Sequence, residues 1–97
     1  MRTMEYRTEV YDFLELGNLP EKGVLWVTPN RRWCCHACPE DGCEKFVTLP
    51  IGESHQNPWR TSFDGNGTLT LSPSILNHHE PTCSAHYFLE HGKVRWC

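Results

Sequence analysis

Four cysteines, Cys34, Cys35, Cys38 and Cys43, fall within ten residues of a 97-residue chain, and no other feature constrains the fold as much. A domain of this size removes only roughly 60–65% of its unfolded surface from water, so a metal or a set of disulfides is expected to staple it. Six cysteines and six histidines supply the material. The segment from Met1 to Phe13 has no apolar signal region, and no stretch approaches a membrane span, so the expected setting is a reducing cytoplasm. There, closely spaced thiols serve as metal ligands rather than as a disulfide framework.

Trp33 to Cys43 reads as a turn-rich loop returning into a strand, Lys45 to Leu49, a knuckle that can hold a tetrahedral ion with little ordered backbone. Cys35-x-x-Cys38 is its strongest spacing. Adjacent Cys34 and Cys35 point in different directions, so a single ion is expected to draw on one of them. The preferred closed set is Cys35, Cys38, Cys43 and Cys83 around a structural zinc; a rival set exchanges one cysteine for His86 or Cys97. Thiolate-rich tetrahedral sites also accept iron, but zinc is the expectation.

The remaining elements are short strands spaced by turns. Phe13 to Leu16 reads as a helical turn ended by Gly17, and Val24 to Thr28 as a buried central strand. Trp59 to Asp64 and Thr68 to Leu71 form a hairpin about Asp64-Gly65-Asn66-Gly67. Pro73 lacks a backbone donor and is expected to stop the second of these strands, leaving Ser74 just past its end. His78 and His79 then fall in a loop, and Cys83 lies in the loop after Pro81. A last hairpin pairs Tyr87 with Trp96 and Leu89 with Val94, whether its loop is His91-Gly92 or all of Glu90 to Lys93, which aims His86, Phe88, Arg95 and Cys97 away from the apolar face. The expected fold is one small, all-β domain spanning residues 1–97, with mostly antiparallel hairpins, a zinc knuckle and little helix. Its chemistry gathers in 67–97.

By themselves, Ser72-Pro73-Ser74 read as a strand-ending turn whose hydroxyls satisfy local backbone. A resemblance changes that reading. The cysteine knuckle is followed by Trp59, by Gly-x-Leu-x-Leu-x-Pro-Ser-Ile from Gly67 to Ile75, by Cys-x-x-His-Tyr-Phe from Cys83 to Phe88, and by Gly-Lys-Val-Arg-Trp from Gly92 to Trp96. This order resembles the BubE-type proteins, small proteins of bacterial ubiquitination-like operons, from Val24 onward. The resemblance implies a zinc-containing peptidase that acts on a ubiquitin-like protein, with Ser74 as nucleophile and His86 as base. In this chain Cys38 and Cys43 are separated by Pro39 to Gly42, a wider spacing than the family's usual knuckle.

A serine hydroxyl is a poor nucleophile until an imidazole accepts its proton, so the reading requires Ser74 and His86 to meet. Backbone N–H groups from Ser74 to Leu76 are candidate oxyanion donors, and Asp64, Glu80 or a backbone carbonyl could orient His86. The expected partners are a ubiquitin-like substrate and enzymes of its conjugation pathway. A net charge of −3 gives no basic footprint for nucleic acid. Two other classes stay open on sequence grounds: a zinc-ribbon adaptor that only binds, and a hydrolase whose metal is the catalyst with His86 among its ligands.

Overall fold

The computed structural model describes residues 5–40, 42–52, 55–56, 58–63, 68–79 and 83–97, with the backbone alone at 77–79 and 83. The apolar run Val24–Val27 (β2) is central to the first sheet, as its composition predicts. It pairs in parallel with β1 (Arg7–Val10) and antiparallel with β3 (Trp33–Ala37), which in turn pairs with β4 (Phe46–Pro50). The second sheet is antiparallel throughout, in the order β5 (Arg60–Phe63), β6 (Leu69–His79), β7 (Cys83–Glu90) and β8 (Lys93–Trp96). The one described helix, α1 (Phe13–Leu16), ends where predicted. Gly17 adopts a left-handed φ of 73° and donates its N–H to the Phe13 carbonyl. No described helix is long and apolar enough to cross a membrane.

Strand alternation builds the core between the two sheets. The registers Leu25↔His36↔Val47 and Val27↔Cys34↔Leu49 put these residues on one face of the first sheet. That face packs against Leu69, Leu71, Ile75, Ala85, Tyr87 and Leu89 of the second. Trp26, Cys35 and Thr48 share the opposite face, where Tyr11 and Phe13 lie against Trp26 with ring centroids 4.4 and 6.3 Å away.

The last hairpin has the predicted register, Tyr87↔Trp96 and Leu89↔Val94. Its two-residue loop has positive φ at both His91 (51°) and Gly92 (78°), the combination a type I′ turn needs. Glycine is required at position 92 for a second reason. A Cβ there would lie 2.6 Å from the Tyr6 carbonyl oxygen, because Tyr6 donates its N–H to the Gly92 carbonyl and so ties the amino-terminal arm to this turn.

Four expectations are corrected. Cys34 and Cys35 lie on strand β3 rather than in a loop, because small thiols pack on both faces of a pleated strand whose backbone groups are taken up by β2 and β4. Pro73 does not end its strand, since β6 runs on to His79 through a change of register. The backbones of His78 and His79 are therefore strand rather than loop, and Cys83 pairs with His79 as the first residue of β7. The turn expected at residues 64–67 and the expected loop residue Pro81 lie outside the described residues.

Candidate active site

The change of register in β6 positions the serine. Leu71 pairs with Leu89 and Ile75 with Tyr87, so Ser72, Pro73 and Ser74 together stand opposite Phe88 alone. The Ser72–Pro73 peptide bond is cis. A bulge of this kind bends a strand and re-aims a side chain. Trp59 braces it by donating its indole N–H to the Pro73 carbonyl at 3.1 Å. An open groove beside the bulge is lined by Pro58, Trp59, Arg60, Ser72 and Pro73.

Past the bulge, alternation resumes. Ile75, Ala85 and Tyr87 are buried in the core, while Leu76 and His86 form an exposed pair on the other face. Ser74 precedes Leu76 by two residues and so becomes the diagonal cross-strand neighbour of His86, close enough for side chains to meet. Its Oγ lies 2.9 Å from His86 Nε2. Ser74 is half-buried and His86 exposed, so the pair opens to solvent from a rigid sheet. Of the candidate oxyanion donors, Ile75 lies in strand pairing with Tyr87, whereas Ser74 and Leu76 border the outer edge of β6. Asp64 and Glu80, which could orient His86, lie outside the described residues.

The inner face of the same strand is fastened to the first sheet. Tyr87, next to His86, places its hydroxyl 2.7 Å from Nε2 of His36. His36 is fully buried, and burial pushes its pKa down to about 4, so the ring is neutral. Tyr6 meets the same ring edge-to-face at 5.2 Å and donates its hydroxyl to the Ala37 carbonyl. Burial, and then the nearby Cys38, raises the Tyr6 pKa. Sequence reasoning passed over His36. Its signal was the period-two series Cys34, His36, Cys38, the inward positions of a strand.

The thiols divide between the two faces. Cys34, Cys38 and Cys43 belong to the inter-sheet core. Cys35 points the other way, with its Sγ 3.5 Å from the Thr48 hydroxyl, so it does not share a face with Cys38. Burial pushes the Cys34 thiol up to about 12 and raises that of Cys35, as expected for thiols packed as small apolar groups. Cys97 is exposed at the end of β8, donating its N–H to the His86 carbonyl. The Cys83 side chain lies outside the described set, and no three His, Cys, Asp or Glu side chains among the described residues form a group able to hold a metal.

Compared with known families, residues 12–97 match the one described as bacterial ubiquitination-like system serine protease, BubE. The chain belongs to the BubE family. The match to the BubE model takes in α1 and both sheets from β2 onward, a longer span than the motifs alone indicate. No curated protein and no solved structure matches the chain. A BubE protein is by description a serine protease, and in this one Ser74 meets the imidazole of His86 in hydrogen-bonding geometry.

Proposed function

We propose that this BubE-family protein is a serine peptidase in which Ser74 is the nucleophile and His86 the base, cleaving after the C-terminal tail of a bacterial ubiquitin-like protein. It matures the precursor, releases the protein from targets, or does both. The observation that carries the reading is the 2.9 Å contact between Ser74 Oγ and His86 Nε2, within the range a general base requires. His86 Nε2 accepts the hydroxyl proton as Oγ attacks the scissile carbonyl carbon. The C–N bond then breaks, and the same proton passes from Nε2 to the leaving amine. Water, deprotonated in turn by Nε2, hydrolyses the acyl-serine and returns the enzyme to its starting state. The contact places Nε2 of His86 where a general base stands.

The family resemblance also implies zinc, and the donor chemistry here fits a structural ion. Cys38 and Cys43 lie together in the inter-sheet core, and Cys83 opens the strand that carries His86. Cys38, Cys43 and Cys83 would hold the ion, with Cys35, on the opposite face, outside the set. A closed zinc site supplies folding energy and no reactive water.

The test is cleavage of a bacterial ubiquitin-like precursor, together with fluorophosphonate labelling. Ser74→Ala is expected to abolish both while leaving melting temperature and metal content unchanged. Undiminished cleavage by that variant would falsify the serine assignment. A wild-type protein that resists the probe yet binds the ubiquitin-like protein saturably would instead be a non-catalytic adaptor.

A further inference from the structure

β5 leaves β6 early. It pairs with β6 only from Leu69 to Ser72, and the residue before it, Trp59, turns to the first sheet, bridging Ile51 and donating its N–H to the Pro50 carbonyl. Beyond that point no described strand lies along the β5 side of Ile75 to His79. The direction of the backbone groups on this stretch follows from the opposite edge of β7. The His86 carbonyl accepts the Cys97 N–H at 3.0 Å, and the two polar groups of a strand residue point to the same side, so those of His86 face β8. Leu76, paired with His86, and His78, paired with Ser84, therefore direct their own N–H and C=O groups away from β7. Thr70 and Ser72, at the same parity, present theirs to β5, opposite Ser62 and Arg60. Leu76 and His78 present theirs to the lane that β5 has vacated.

We propose that this edge is the substrate's docking strand: an extended segment of the ubiquitin-like protein's tail adds to the sheet beside Leu76 and His78 and continues past Ser74 into the open groove lined by Trp59, Arg60 and Pro73. The inference rests on the peptidase reading, because the lane's position relative to the nucleophile identifies the occupant. The lane opens two residues from Ser74, so a chain hydrogen-bonded there carries its own backbone to the reacting hydroxyl. Leu76, 64% exposed beside His86 on the Ser74 face, offers that chain an apolar contact. An extended terminus can pass the bulge and reach the groove, whereas a folded strand edge cannot. Strand addition also binds through main-chain groups, which suits an enzyme that must accept one tail whatever is joined after it.

Binding is measured by fluorescence anisotropy on Ser74→Ala protein, with a synthetic peptide copying the precursor's tail across the scissile bond and N-methylated at one residue at a time. N-methylation is expected to weaken binding about tenfold at alternate residues, the loss of one backbone hydrogen bond, and by less than about threefold at those between. Equal losses along the tail, or none, overturn the proposal. On the protein side, His78→Pro removes one outward N–H where proline is tolerated at a strand edge. It should bind the unmodified peptide about tenfold more weakly than His78→Ala, which keeps the N–H; equal affinities of the two variants overturn the edge. If His78→Pro does not fold, the methylation scan alone decides. A dimer seen by light scattering and broken by His78→Pro would assign the edge to a second copy and also overturn it. Because binding is read without turnover, an alternating pattern with cleavage persisting in Ser74→Ala sinks only the serine assignment. Lost cleavage without the pattern sinks only the docking strand.

Discussion

Strand β7 has two faces, and a histidine works at each. On the outer face His86 is exposed and shares a hydrogen bond with a serine hydroxyl. On the inner face His36 arrives from β3, is fully buried and binds the hydroxyl of Tyr87. Adjacent residues of one strand thus carry one ring and hold the other, and the alternation of the strand decides which ring faces solvent. A base must reach substrate and water to complete a cycle. A ring whose pKa burial has lowered to about 4 is held neutral and serves as a fixed polar peg between the sheets.

The largest effect that would sharpen this contrast is at the outer face. His86→Ala should lower cleavage of the ubiquitin-like precursor by about a thousandfold or more, as loss of a triad-type base does, with metal content and melting temperature nearly unchanged. A His86→Ala protein that purifies without metal would break the comparison by making His86 a ligand. Next come the thiols of the inner side. Cys38→Ser and Cys43→Ser should each lose zinc, measured by elemental analysis, and lose cleavage with it. The melting temperature should drop by more than about 10 °C, because metal binding to such a site is folding energy. Full zinc occupancy in both variants would remove the metal from this core.

Tyr87→Phe tests the peg itself. Leaving His36 Nε2 unpaired in the core should cost about 1–3 kcal/mol, read as a melting temperature lower by roughly 5–20 °C, with a smaller loss in cleavage rate than at His86. The smallest effect is expected at Cys35, on the far face of the first sheet. Cys35→Ala should keep its zinc and its activity and melt within about 8 °C of wild type, the loss of one small packed thiol. Loss of zinc from Cys35→Ala would restore Cys35 to the ligand set.

Much of this architecture is legible in the chain because it depends on local pattern. The run Val24 to Val27 can only be a buried strand. Leu89, Val94 and the His91-Gly92 turn force the register of the last hairpin, since a shift of one residue would carry Tyr87 and Trp96 out of the core. The motifs around Ser74 and His86 pointed to the pair, although spacing cannot place a hydroxyl against an imidazole. Proline at 73 was misleading for a physical reason. It removes one donor, and a bulge that already breaks the ladder absorbs that loss, so the strand resumes at Ile75. The parallel strand β1 left no readable period, because it lies at a sheet edge with mostly exposed residues.

What the sequence by itself determined is therefore the β class, the last hairpin and the candidate pair Ser74 and His86, set by alternation, turn chemistry and motif. Tertiary structure alone decided which face Cys34 and Cys35 each occupy, because the two are equivalent until β2 and β4 flank them and the second sheet covers one side. It also decided that Ser74 meets His86. That contact joins two strands through the register of Leu76 with His86 and the bulge before it, and register between strands is a property of the packed sheet, which must keep Ile75 and Tyr87 on the buried face.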